Sequence, residues 1–272
     1  MKNALSIDLE DWFCVYNLSQ VIQRDDWEKQ DLRIVQNTNR ILSLLDHHRV
    51  TATFFVLGWI AEQTPDLIRE IEQRGHEIAT HGYSHAVITG MTPESFEADL
   101  KKAIHITRQC AHQDILGYRA PSFTITPQTM WAIDILARNG IRYDSSVFPI
   151  SYHPDYGVPD APLSIYKHKN ELIEFPLSCV KIMGRTIPCC GGGYFRIFPY
   201  TVTRHLLRRV NREGRPAIFY FHPWEIDPDQ PRVKLSWQKS FRHYFNLNKT
   251  FNRLDRLLSD FEFTSIREVL GL

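Results

Sequence analysis

Ala4-Leu5-Ser6-Ile7-Asp8-Leu9-Glu10-Asp11 opens the chain with an apolar run that ends in three acids. Its length and aliphatic content read as a strand buried on both faces, the kind that a parallel sheet carries beneath its helices. Period two sends Asp8 and Glu10 to the same side of that strand, so if Asp8 faces the inside of a barrel, Glu10 does too. Carboxylates at a buried mouth are costly to hold unless a cation or hydrogen bonds neutralise them, whereas on a solvated turn they are ordinary.

Working outward, Thr51–Leu57, Glu77–Thr80, Leu172–Pro176 and Ala217–His222 have the same buried-strand character, and Ile141-Arg142-Tyr143 starts another strand after Gly140. Ile34–His48, Asp66–Arg74 and Phe96–Gln109 carry apolar residues at helical spacing. Thr92-Pro93 and Thr126-Pro127 each put a hydroxyl at N-cap and proline at N1. Repeated strand-helix units imply a parallel sheet covered by helices, either a barrel or a doubly wound sheet, and the barrel is the expectation. Phe148–Pro162, with Pro149, Pro154, Pro159 and Pro162, reads as a long irregular excursion bordering the site. No repeat or linker divides the chain, so residues 1–272 are expected to form one domain, with motifs over about 4–226 and a helical and strand extension over 227–272.

A chain of 272 residues with 43% hydrophobic composition can bury a barrel-sized core. The 32 basic and 31 acidic side chains nearly cancel, which excludes the strong field of a nucleic-acid binder. No window approaches the ~18 apolar residues of a membrane span, which leaves only peripheral membrane contact. The first residues lack a signal-peptide pattern, so a cytoplasmic location is expected. Five cysteines without CxxC spacing indicate reduced structural thiols rather than a disulfide framework or zinc ribbon.

The sharpest local signal is His81-Gly82-Tyr83-Ser84-His85, directly after the strand-like Glu77–Thr80. Imidazoles at i and i+4 converge on one metal if the loop turns helical. Among twelve histidines such pairs also arise by chance, so the reading draws its weight from the acids at Asp8, Glu10 and Asp11, one to bind metal and one to act as base. His222 ends the run Ala217–Phe221, at the strand mouth where parallel α/β folds place their sites, and can protonate a leaving amine. Arg119 can hold the base carboxylate by a bidentate pair. Gly191-Gly192-Gly193-Tyr194-Phe195-Arg196 reads as a substrate-side loop or a structural turn, and lacks phosphate-loop spacing. Trp12, Tyr194 and Trp224 are candidates to stack on sugar faces.

The ordered set Asp8-Leu9-Glu10-Asp11, Thr53-Phe54-Phe55, Gly75-His76-Glu77-Ile78 with His81-Gly82-Tyr83-Ser84-His85, Arg119-Ala120-Pro121, Tyr143-Asp144-Ser145-Ser146 and Phe221-His222-Pro223-Trp224-Glu225 resembles the polysaccharide deacetylases of carbohydrate esterase family 4. The branch it looks most like contains exopolysaccharide-locus deacetylases and a peptidoglycan-deacetylase-like subgroup. The resemblance implies a distorted (β/α)7-type barrel and a divalent metal, usually zinc, held by a carboxylate and two histidines. It implies Asp8 as general base, His81 and His85 as ligands, His222 as general acid, Arg119 as the base's tether and Asp144 as a carboxylate near His222. The Ser122 N–H, just after the Arg-Ala-Pro motif, is the candidate oxyanion donor.

Most of the family carries adjacent Asp-Asp-Gly, whereas here the acids are spaced Asp8, Glu10, Asp11. Glu10 is the favoured third ligand on the alternation argument and because related branches carry Asp-x-Glu; Asp11 is the alternative. The expected activity is removal of an N-acetyl group from an amino sugar of a polysaccharide or of its lipid- or nucleotide-linked precursor. The competing readings are a metal-independent amidohydrolase acting on a small cyclic amide and an inactive glycan-binding barrel.

Overall fold

The computed structural model of the chain describes residues 1–151 and 156–272. The strands are β1 (Asn3–Leu9), β2 (Thr53–Val56), β3 (Glu77–Thr80), β4 (Gly117–Tyr118), β5 (Tyr143–Asp144), β6 (Tyr166–Lys167), β7 (Ile173–Glu174), β8 (Cys179–Ile182), β9 (Arg185–Pro188), β10 (Ile218–Phe221) and β11 (Phe263–Thr264). One sheet runs β10-β1-β2-β3-β4-β5-β7 with every neighbour parallel. β6 adds antiparallel to β7, and β11 pairs with the start of β1. The sheet curls into a half-barrel, the distorted α/β barrel the sequence implies, and no pairing among the described residues joins β10 to the far edge.

Strand alternation divides the sheet's two faces. Leu5, Ile7, Leu9, Phe54, Val56, Ile78, Phe219 and Phe221 pack outward in a cluster shared with the helices. Ala4, Phe55, Ala79, Tyr143, Ile218 and Tyr220 form a second cluster on the inner face. The inner set continues in register to Asp8, His81 and His222, so the same period that buries the barrel interior brings chemistry to its mouth. Each such buried aliphatic or aromatic side chain contributes about 1.5–3 kcal/mol, which sets the register firmly.

Helix α1 (Ile34–His48) has the expected bounds and buries Ile34, Ile41, Leu42, Leu44 and Leu45. After α2 (Gly58–Gln63) and α3 (Pro65–Gln73), α4 (Pro93–Cys110) begins a turn before the predicted Phe96. There Thr92 Oγ1 accepts from Ser95 N (3.2 Å) while Ser95 Oγ accepts from Thr92 N (2.9 Å), a reciprocal cap. Thr126 starts no helix: Thr129 Oγ1 accepts its N–H and donates to Thr124 O, closing a turn instead, and α5 (Ala132–Arg138) begins further on. The strand expected over Leu172–Pro176 shrinks to β7. Within the excursion Phe148–Pro162, Tyr156 stacks on Phe148 at 5.5 Å, whereas Pro154 lies outside the described residues.

After the β8–β9 hairpin come α6 (Gly192–Ile197), α7 (Tyr200–Arg212), α8 (Trp237–Tyr244), α9 (Leu247–Asp260) and α10 (Ile266–Leu270). α10 closes the barrel floor, where Ile266 joins the inner cluster and its N–H donates to Thr53 Oγ1 at 2.7 Å. Glu77 on that floor accepts from Thr53 Oγ1, Tyr143 Oη and Arg267 N, which satisfies a buried carboxyl far from the mouth. All five cysteines are buried thiols.

Candidate active site

The inward residues at the ends of β1, β3 and β10 meet in a cleft of about 380 Å³, within the usual size of small-molecule sites. Asp8, Glu10, His81, His85, Ser122 and His222 all line it. Asp8 Oδ1 accepts from Arg119 Nη1 at 2.6 Å. Arg119 is fully buried over the Phe55 ring, and its other nitrogens reach Ser145 O and Ser145 Oγ. The expected bidentate pair is therefore a single bond: Ser145 fixes the rest of the guanidinium. Removing either member strands a buried charge, at a cost of about 3–5 kcal/mol.

Ligating atoms of Glu10, His81 and His85 lie within 4.8 Å of one another. His81 Nδ1 is 2.8 Å from Arg119 O and must donate to it, which leaves Nε2 with its lone pair toward the cleft. Burial lowers the His81 pKa to about 4, the neutral state a ligand needs. Glu10 is buried too, but the His85 and His222 imidazoles outweigh that and hold its carboxyl down at about 2. Glu10 Oε2 is 2.6 Å from His85 Nε2 without the alignment of a hydrogen bond, so a buried carboxylate oxygen has no donor. A carboxylate and two imidazoles gathered around such an atom fit a divalent cation of the zinc type.

The approach of His85 is not helical as expected. Residues 81–87 form a loop that turns at Gly82 (φ 73°) and His85 (φ 56°). Asp99 of α4 holds that loop by accepting from Tyr83 N, Ser84 N and Ser84 Oγ. A β-carbon on Gly82 would meet Asp99 Oδ2 at 3.0 Å, so glycine serves both the turn and the clamp.

His222 completes the ring of side chains. Its Nε2 is 3.3 Å from Glu10 Oε1 and 3.7 Å from Asp8 Oδ2, while its Nδ1 is 2.7 Å from Glu225 Oε1. Burial lowers the pKa, but Glu10, Glu225 and Asp8 more than offset it, raising it to about 9. Glu225 is in turn anchored by Arg196 Nε at 2.5 Å, and Arg196 also donates to the carbonyls of His243, Phe245 and Arg242.

A family model for polysaccharide deacetylases matches residues 25–143, and one for a domain of unknown function, DUF3473, matches 145–271. Residues 25–143 carry a polysaccharide deacetylase domain of the carbohydrate esterase family 4 type. It is 35% identical over 106 residues to a chitooligosaccharide deacetylase of Rhizobium leguminosarum bv. trifolii, a stretch covering 38% of this chain and 45% of that one. The chain thus spans under half the length of that relative. A Mycobacterium smegmatis protein ascribed to the polysaccharide deacetylases superposes over 99% of this chain and 90% of its own, with a TM-score of 0.62 and 19% identity. A CE4 family pseudoenzyme from Bacillus anthracis covers 99% of this chain and 65% of its own, with a TM-score of 0.52 and 16% identity. At these identities the two structures show the fold alone.

Within this deacetylase fold several expected residues stand elsewhere. Asp11 faces away from the cleft: its carboxylate accepts from Trp12 N, Arg33 N and Ile34 N at the start of α1, and burial pushes it up to about 6. Asp144 makes no contact with His222 among the described residues; it bonds Ser146 Oγ at 2.6 Å and pairs with Glu174. Trp12 is core, packed edge-on to Phe13 with its Nε1 on Asp31 O. Trp224 lines the cleft, yet its faces are stacked by His222 and His243, so no sugar can lie on them. Tyr194 does line the cleft, with Gly192 and Gly193.

Glu225, Arg196 and Asp99 received no role from the sequence. Glu225 stands three residues after His222, a spacing that one 3-10 turn closes, and Arg196 ends the Gly191–Arg196 block, so both lay inside motifs whose partners were not assigned. Asp99 is one acid on an ordinary helix and carried no signal.

Proposed function

We propose that the protein is a metal-dependent hydrolase that removes the N-acetyl group from an amino sugar of a polysaccharide or of its lipid- or nucleotide-linked precursor, in the manner of the exopolysaccharide-locus branch. The observation that carries this reading is the convergence of Asp8, Glu10, His81, His85 and His222 on one cleft. The continuous sheet, whose β5 contains the junction between the two matched segments, supports treating the chain as one catalytic unit.

Glu10, His81 and His85 would hold a divalent cation, which would supply Lewis acidity toward an acetamide carbonyl and toward water. Asp8, tethered by Arg119, takes the proton from the attacking water. Ser122 has a left-handed backbone (φ 52°), and its N–H, which meets no protein acceptor among the described residues, donates to the developing oxyanion. His222 holds a proton on Nε2, facing the cleft, and delivers it to the departing sugar nitrogen while Glu225 keeps Nδ1 protonated. Acetate and a free amine result.

Likeness to a pseudoenzyme means that fold does not decide activity; the retained acid, base and ligand set favours the hydrolase. The decisive measurement is acetate released from N-acetylated oligosaccharides by metal-loaded protein, with a chelated sample and Asp8→Asn as controls. No acetate above the Asp8→Asn level would sink the proposal, and chelator-insensitive turnover of a cyclic amide would favour the metal-independent alternative.

A further inference from the structure

Between Asp229 and Asp255 the chain has no acidic side chain, yet Arg232, Lys234, Lys239 and Arg242 surround or lie on α8. Arg232, Lys234 and Arg242 are exposed. On the same helix Trp237 is 76% and Phe241 45% exposed, whereas every other tryptophan of the chain is buried or half-buried. Further exposed apolar side chains join them at the cleft rim. Tyr16 and Ile197 line the cleft beside Arg242, and Lys239 Nζ bonds Gln20 Oε1 at 2.7 Å, bringing the loop of exposed Val21 against α8. In the adjoining turn Arg24–Lys29, Asp25, Asp26 and Glu28 are largely offset by Arg24 and Lys29.

We propose that this rim docks on an anionic lipid bilayer, with α8 lying in the headgroup layer and the cleft mouth facing the membrane. Exposed aromatic and aliphatic side chains within a field of cations are what an interfacial segment needs: the apolar groups enter the acyl boundary and the cations meet acidic headgroups. No described helix is long and apolar enough to cross a membrane, so the contact lies in the plane of the surface. A glycan platform would use the aromatic faces but not Val21 or Ile197. A two-fold contact with a second copy would set the cations of one α8 against those of the other. The inference goes beyond the deacetylase reading and does not depend on it, because its test needs no turnover.

The full chain is mixed with vesicles of phosphatidylglycerol and phosphatidylcholine, or of phosphatidylcholine alone, and the bound fraction is read by sedimentation and by tryptophan emission. Binding with a blue shift on the anionic vesicles, weakened by salt, is expected. The double variant Trp237→Ser/Phe241→Ser lowers the partition on the order of tenfold. Lys234→Gln/Lys239→Gln lowers it roughly thirtyfold on anionic vesicles. Circular dichroism and Tm of both variants should match the parent, because the substituted groups do not belong to the core. Absent binding, equal binding to phosphatidylcholine, or indifference to both variants overturns the proposal. It is likewise overturned by a dimer in light scattering that Trp237→Ser/Phe241→Ser abolishes, or by retention in gels containing an anionic polysaccharide without vesicle binding.

Discussion

His222 Nδ1 donates to Glu225 Oε1 at 2.7 Å. Glu225 is ionised, its pKa held down against burial by Arg196 and His222, so the imidazole must be the donor and Nε2 is the nitrogen presented to Asp8 and Glu10. Glu225→Gln keeps the shape but weakens the hold on that tautomer and on the imidazolium. Acetate release should fall by about 10–100-fold in kcat with KM little changed. An unaltered kcat would mean that the Arg196-Glu225 pair serves only to fix the C-terminal extension.

The two acids that follow β1, Glu10 and Asp11, separate by what they bond. Glu10→Ala, His81→Ala and His85→Ala should each strip the purified protein of metal by elemental analysis. Asp11→Ala should keep the metal but lose a cap on α1, where Asp11 accepts three backbone N–H groups, at about 1–2 kcal/mol. Metal loss in Asp11→Ala with an unchanged melting point would reverse these assignments.

The parts of this design that were legible in the sequence are those governed by period. Alternation alone put Asp8 and Glu10 on one face, and helical spacing gave α1 its bounds. What escaped was whatever depends on a partner distant in the chain. Asp11 sits one residue beyond Glu10, and only the arrival of the Arg33 and Ile34 N–H groups turns it away from the cleft. Trp12 and Trp224 both follow proposed site residues, yet Phe13 and the His222-His243 sandwich decide their environments. The HGYSH spacing pointed to two imidazoles that do meet beside Glu10, but through the wrong local geometry, because a loop clamped by Asp99 does what a helical turn was expected to do. β4 and β6 are too short to carry a periodic signal.

Behind the cleft, Asp144 and Glu174 are fully buried against each other. Burial and their mutual repulsion push Asp144 well up, and burial raises Glu174 to about 7. A carboxyl whose folded pKa exceeds its unfolded value holds a proton that the unfolded chain has released. Its contribution is therefore complete below the unfolded value and is lost as pH rises through the folded one. Stability should decline on this account between about pH 4.5 and about pH 7, by on the order of 3–4 kcal/mol. Asp144→Asn, which keeps a hydrogen-bond donor for Glu174 and removes Asp144's own titration, should take away Asp144's share of the loss and make the decline shallower. Thermal melts of variant and parent should diverge in the variant's favour from about pH 5 to about pH 8; parallel curves would show that the pair does not share a proton.

Gly191 tests whether the glycine block shapes the cleft or merely turns the chain. Its φ is 118°, and an added β-carbon would lie 2.3 Å from Tyr220 Cδ1 and 2.5 Å from the Tyr220 carbonyl oxygen. Gly184, at the β8–β9 turn, also has a positive φ (78°) but nothing within 4 Å of that position. Gly184→Ala should therefore cost only the backbone penalty, about 1–2 kcal/mol. Gly191→Ala must in addition displace β10 or the segment leading into Gly192 and Gly193, both of which line the cleft, and should cost about 2–3 kcal/mol more. Calorimetry should show a further Tm loss of roughly 4–12 °C, accompanied by weaker substrate binding. Trimming the ring in Gly191→Ala/Tyr220→Leu should recover little, because the carbonyl oxygen remains. Full rescue by that second substitution would place the conflict in the side chain alone and leave the backbone of β10 out of the account.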